Sequence, residues 1–175
     1  MKINELKRNL KEATKEQLII DIADLFIKNE FVKDYYNSKH GDDNSLSILI
    51  KHKDIIENEF FPENGFGKAR LSVAKKAITE FKKISSDKGL IAELMVFYVE
   101  NGVNYTACYG DINEQFYLSM ESMYERARKY ITDNNLVATF KERCLIIVND
   151  TTDMGWGFHD QLCEIYYGYI EEQQA

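Results

Sequence analysis

Proline is all but missing from this chain: Pro62 is the only one in 175 residues, and the nine glycines fall mostly at breaks between apolar stretches. Proline clashes inside a helix and glycine is costly there, so a chain that keeps both out of its periodic stretches is free to run long helices. Cysteine is sparse as well. Cys108, Cys144 and Cys163 are odd in number, far apart and without a Cys-x-x-Cys pair; this excludes a disulfide-stapled fold and suits reduced thiols in a cytoplasm. The longest uncharged apolar runs are far too short to cross a bilayer. The opening residues, Met1 to Arg8, alternate charge with isolated apolar side chains and lack the apolar core of a signal peptide. A soluble cytoplasmic protein with no membrane attachment is the reading.

Excess positive charge is also absent. A formal charge of -7 and a pI near 5.1 argue against broad binding to nucleic acid, whose phosphates would be repelled. The average hides an asymmetry, because Lys68 to Lys88 carries seven cations against Glu80 and Asp87, whereas the chain beyond Asp150 carries only acids. A local anion site is compatible with that.

What is present is helical periodicity. Ile3, Leu6 and Leu10 mark a first helix, and Thr14-Lys15-Glu16-Gln17 reads as a capping box for a second with Leu18, Ile19, Ile22, Leu25 and Phe26 facing inward. Asn29 can bend or restart that helix, Phe31, Val32, Tyr35 and Tyr36 continue the stripe, and Gly41 supplies a left-handed stop before a new start at Asp42-Asp43-Asn44. The next face is Leu46, Leu49, Ile50, Ile56 and Phe60, ending ahead of Pro62. Pro62 to Lys68 is the clearest loop.

Ser72 is expected to cap a helix carrying Ala74, Ala77, Ile78, Phe81 and Ile84; Asp87 opens a central one through Leu90, Leu94, Tyr98 and Tyr105 to Gly110. A capping-box-like start at Asp111-Ile112-Asn113-Glu114 precedes Phe116, Met120, Met123, Ala127 and Tyr130. From Asn135 come Val137, Phe140, Cys144 and Ile147, whose Leu145-Ile146-Ile147-Val148 run is kept as helix because no partner strand exists. Trp156 to Glu172 forms the last helix, with Phe158, Leu162, Ile165 and Tyr169 inward. The expectation is an all-α single domain over 1–175, with loop 62–68 separating an N-terminal helical part from a C-terminal one. About eight helices in antiparallel hairpins would make a solenoid-like array or a compact bundle. An echo at an offset of about 69 residues, Ile22-Ala23-Asp24-Leu25 against Ile91-Ala92-Glu93-Leu94, would fit stacked hairpins.

No complete catalytic signature appears. Asp150 to Asp160 is the most chemically loaded stretch, holding Trp156, two glycines and His159 beside acids; Asp153 could cap the final helix, and amides at that helix start would favour an anion. The competing reading is a capped start with an aromatic plug. His159 and Cys163 share a helical face, but two ligands do not make a metal site, and neither His40 nor His52 adds one. A calcium-loop reading fails at its last position, where Gln161 stands. Gly65-Phe66-Gly67-Lys68-Ala69-Arg70 invites comparison with a phosphate loop, yet Pro62 and Ala69 occupy positions that need glycine and serine or threonine. An anion site using Lys68 and Arg70 survives that test. Glu93 and Glu100 could serve acid–base chemistry if buried together, although their spacing also describes a wet helix face. None of the three thiols has a histidine-paired local context, so all three read as core.

Four stretches together carry a resemblance: Lys2 to Lys7 with Thr14 to Leu18, Phe60 to Ser72, Tyr98 to Gly102 with Gly110-Asp111, and Gly155 to Asp160. The chain resembles a bacterial family of small helical proteins known only as a domain of unknown function, over nearly its full length. The resemblance implies a bacterial cytoplasmic protein and carries no activity, cofactor or catalytic residue. The functional expectation is therefore a soluble helical binding or protein-interaction module. The alternative is an enzyme or small anionic-ligand binder with a pocket near Lys68, Arg70, Trp156, His159 and Asp160. No metal or cofactor is implied.

Overall fold

The computed structural model describes residues 1–40 and 44–171. Nine α-helices and no strand occur among the described residues: α1 (Ile3–Glu12), α2 (Lys15–Lys28), α3 (Glu30–His40), α4 (Asn44–Phe60), α5 (Leu71–Ile84), α6 (Lys88–Tyr109), α7 (Glu114–Asp133), α8 (Val137–Asn149) and α9 (Phe158–Glu171). The all-α expectation holds. Where about eight helices are expected, a ninth arises because Asn29 both ends α2, its N–H donating to the Leu25 carbonyl, and caps α3 by accepting from the Val32 N–H at 3.3 Å. The stop at Gly41 and the start at Asp42 and Asp43 lie outside the described residues, as does the side chain of Tyr169.

Local chemistry sets most helix ends. Thr14 and Gln17 form the full capping box, each side chain accepting from the other's backbone N–H at 3.2 and 3.0 Å. Asp87 caps α6 through the Leu90 N–H. Three expected starts move. Asn113, rather than Asp111, caps α7 by accepting from the Phe116 N–H. Ser72 falls inside the first turn of α5, whose cap position is Arg70 with no side-chain bond. The last helix begins at Phe158, not Trp156, so Asp153 lies too far upstream to cap it. The delay has a backbone cause: Trp156 (φ +64) and Gly157 (φ +68) are both left-handed, which cannot continue a right-handed helix.

The chain divides into two compact units, Met1–Ser45 and the remainder from Leu46 onward. In the second, α6 packs against α5, α7 and α8, and α7 against α8 and α9. Eleven residues of α6 are buried, so it forms the centre. All five inward residues expected on α5 are buried, and Phe60 meets the rings of Tyr98, Tyr105 and Phe116. Gly102 lets α6 and α7 approach: a Cβ there would lie 2.1 Å from Met120 Sδ. In the first unit α2 packs on α3, and the pattern departs from expectation. Ile19, Ile22 and Leu25 are exposed and only Leu18 and Phe26 are half-buried.

Candidate functional site

Arg70 belongs to the loop after α4, and its guanidinium is already engaged. Nε and Nη2 donate to the two carboxylate oxygens of Glu59 at 2.9 and 2.6 Å, and its backbone N–H adds a third bond at 3.1 Å. That clamp closes the loop, because Glu59 is buried and the Ala69 N–H also donates to its carbonyl. Hydrogen bonding from Arg70 outweighs burial and holds the Glu59 carboxyl below its usual range. Lys68 is exposed. The loop reaches the C-terminal end of α6 through Tyr105, whose Oη donates to the Gly67 carbonyl at 3.2 Å, and through the Phe66 ring on Tyr109.

Trp156, His159 and Asp160 sit at the start of α9. Trp156 is 62% exposed, and so it is not a core plug. Asp160 is exposed and His159 half-buried. This segment meets the connection after α6 and the first turn of α7 through other residues: the Phe158 ring lies tilted against Tyr117 with centroids 4.9 Å apart, and Gly155 lies against the Asp111 carboxylate. Two stretches singled out in the sequence, Gly110-Asp111 and Gly155 to Asp160, thus meet.

The thiols differ from expectation. Cys108 is exposed, because it lies on the outer face of the last turn of α6, and Cys144 alone is buried. Cys163 Sγ lies 3.5 Å from His159 Nε2, while His159 Nδ1 is 3.1 Å from both the Val148 carbonyl and Thr151 Oγ1. One turn of helix brings this pair together, as the four-residue spacing allows.

Glu93 and Glu100 do share a site, with cations between them. Arg143 on α8 donates to Glu93 and, through Nε and Nη2, to Glu100 at 2.9 and 2.7 Å, while Lys53 on α4 reaches Glu93 at 2.5 Å. Burial pushes the Glu93 carboxyl up, but the bonds from Arg143 and Lys53 carry it below its usual range. A carboxylate held ionised this firmly joins three helices and is a poor proton shuttle.

The most chemically distinct cavity lies where α6 and α8 end. About 450 Å³ in volume, it is lined by Thr106, Asp111, Asn149, Asp150, Asp153 and Met154 among others. Asp111 is anchored by the Tyr117 hydroxyl, which donates to Oδ1 at 2.7 Å. Burial first, then that bond, push the Tyr117 hydroxyl up. Sequence reasoning met these acids separately, as caps and as a failed calcium loop, and had no local signal that Asp111 and Asp153 converge.

The first unit offers a different kind of surface. Ile19, Ile22, Ala23, Phe26 and Ile27 of α2, with Tyr36 and His40 of α3, line an apolar groove of about 500 Å³. Ile20 is 66% exposed and Ile27 81% exposed. The echo sharpens the contrast: Ile91, Ala92 and Leu94 are buried in α6, whereas their counterparts Ile22, Ala23 and Leu25 are exposed in α2. Gln17, Asp21, Asp24 and Lys28 hold the polar face of α2, and the exposed apolar stripe beside it is of the kind that marks interaction surfaces.

Among the described residues no helix is long and apolar enough to cross a membrane, and no group of three or more His, Cys, Asp or Glu side chains is placed to hold a metal ion. A family model described as a family of unknown function, DUF6155, matches residues 1–169. No curated protein and no solved structure matches the chain.

Proposed function

The chain belongs to the DUF6155 family, and we propose that it works as a helical protein-interaction module of a bacterial cytoplasm, with α2 as the docking element. The observation that carries this reading is the exposed apolar surface of α2. The occupant is an amphipathic helix of a partner protein. Apolar positions at 19, 22, 23, 26 and 27 follow helical spacing, and the groove they make with α3 accepts a ridge of side chains from an incoming helix. Charge argues against a lipid surface or nucleic acid in that role, since residues 1–45 carry eight Lys and Arg against nine Asp and Glu. Such a balance gives no attraction to anionic headgroups or phosphates. Three free cysteines, one of them exposed, suit a reducing compartment. The alternative, a small anionic ligand near Lys68, Arg70, Trp156 and His159, rests on Lys68 for its charge because Glu59 holds the Arg70 guanidinium.

Photo-crosslinking tests the assignment. A benzophenone side chain placed at Ile20 or Ile27 in the full chain is expected to capture one partner protein through a peptide with apolar residues at helical spacing. The purified partner then binds the wild-type chain and not Ile22→Asp. Crosslinks confined to the chain's own second unit, to a second copy or to lipid would contradict the proposal.

A further inference from the structure

Cys163 and His159 of α9 form a pair that neither the interaction reading nor the local sequence accounts for. Nε2 of the imidazole lies 3.5 Å from Cys163 Sγ, within hydrogen-bonding reach of a thiol. What the pair can do depends on which ring nitrogen carries the proton, and the hydrogen bonds at the other nitrogen decide that. Nδ1 has two neighbours at 3.1 Å, the Val148 carbonyl and Thr151 Oγ1. The carbonyl can only accept. The Thr151 hydroxyl gives its own proton to that same carbonyl at 2.6 Å, and so it too faces Nδ1 with a lone pair. With acceptors on both sides Nδ1 is the donor, and Nε2 of the neutral ring is left with a lone pair aimed at sulfur. The thiol donates to it.

The frame behind the imidazole is fixed. Thr151 is fully buried and Val148 is buried at the end of α8, so the ring is aimed by backbone and a core hydroxyl rather than by a mobile side chain. A nucleophile within reach of a base, with the base oriented by a third group, is the arrangement that activates a thiol. A pair that only satisfied two core polar groups would be closed to solvent. Cys163 and His159 are instead both half-buried, at the edge where α9 turns from its buried stripe of Phe158, Leu162 and Tyr166 to its outer face. The surroundings are acidic: exposed Asp160 stands one turn before Cys163 and exposed Glu164 directly after it, and residues 150–171 contain Asp and Glu but no Lys or Arg.

We propose that Cys163 is a thiol–disulfide exchange site, with His159 as its base, for small disulfides that carry amino groups. Nε2 takes the thiol proton as Sγ attacks one sulfur of the disulfide, and the new S–S bond forms as the old one breaks. The leaving sulfur departs with that electron pair and recovers the proton from the imidazolium, so a thiol and a disulfide become a mixed disulfide and a new thiol. No further oxidant enters. The imidazolium that exists between the two transfers keeps both acceptors on its Nδ1 proton, which holds the ring in place and stabilises its charge. Thr151 acts through His159 and is a positioning residue. Acids around Cys163 attract cationic reagents and repel anionic ones, to an extent that salt screens.

The test exposes the full chain to cystamine and, separately, to oxidised glutathione at pH 7, with timed acid quenches and peptide mass spectrometry giving a rate for each cysteine. His159→Gln is expected to slow cystamine capture at Cys163 by about tenfold to a hundredfold, the low end of what a positioned base contributes. Cys108 in the same molecules keeps its rate and Cys144 stays protected, which shows the fold intact. Thr151→Val slows Cys163 severalfold, and Thr151→Ser restores it. At low salt cystamine reacts with Cys163 several times faster than oxidised glutathione, and the gap narrows as salt rises. A Cys163 rate that His159→Gln leaves unchanged, or a fall shared equally by Cys108, would overturn the proposal, as would equal rates for the two disulfides at low salt. If His159→Gln opens Cys144 to reagent, the Thr151 variants decide: no slowing in Thr151→Val, or no recovery in Thr151→Ser, overturns it.

Discussion

Arg143 of α8 sits between two carboxylates of α6, donating to Glu93 and to Glu100 with the same guanidinium. Opposite charge on one side chain thereby joins two helices, and Lys53 extends the join to α4. Replacing Arg143 with Met leaves Glu93 and Glu100 partly buried and underpaired. The expected loss is about 1–2 kcal/mol, discounted from the fully buried case because a third of Arg143 faces solvent. Glu93 also sets a pH dependence. Its carboxyl is held below the unfolded value of about 4.3, so its contribution is fully present above that value and disappears as pH falls through the folded one. Urea unfolding from pH 7 to 3 is expected to show a shallower acid decline in Glu93→Gln than in wild type; equal slopes would remove Glu93 from the account.

Gly67 passes against the end of α4, where a Cβ would lie 2.0 Å from the Phe60 carbonyl oxygen. Backbone cannot yield as a flexible side chain can, so Gly67→Ala should cost more than about 3 kcal/mol, in the range of severe overpacking. Gly65, at φ +83, has open space around its missing Cβ. Gly65→Ala should cost only the left-handed penalty, about 1–2 kcal/mol. Denaturant midpoints of the two variants check the order, and a reversal would mean that the loop closes differently.

The cysteines should separate by burial. Cys108 is exposed, Cys163 half-buried and Cys144 buried, and burial pushes the Cys144 thiol up despite Arg128 nearby. Iodoacetamide at pH 8 is expected to label Cys108 first, and Cys144 at the rate of global unfolding. Mass spectrometry of timed quenches reads the order; early labelling of Cys144 would contradict it.

Much of the fold was legible because one-dimensional patterns decide it. The capping box at Thr14, the cap at Asp87 and the inward face of α5 follow from spacing alone. The run Leu145 to Val148 is helical as expected. What periodicity cannot say is which apolar face finds a partner. Ile22-Ala23-Asp24-Leu25 and Ile91-Ala92-Glu93-Leu94 read alike, and only the second is buried. The site was less legible still, because Arg70 pairs with Glu59 eleven residues back and Arg143 with Glu100 at a separation of 43. Such pairings are set by tertiary packing, and no local motif announces them.

Solvent exposure of α2 in the isolated chain is the premise of the interaction reading, and charge substitution measures it directly. In the double variant Ile20→Lys/Ile27→Lys, both side chains start 66% and 81% exposed, and surface substitutions of this kind usually stay within about 0.5 kcal/mol. Urea unfolding of the purified full chain is therefore predicted to give wild-type stability within about 1 kcal/mol for the pair. A loss of more than about 3 kcal/mol, the cost of burying unpaired charge in a packed core, would show that α2 is already covered and contradict the account.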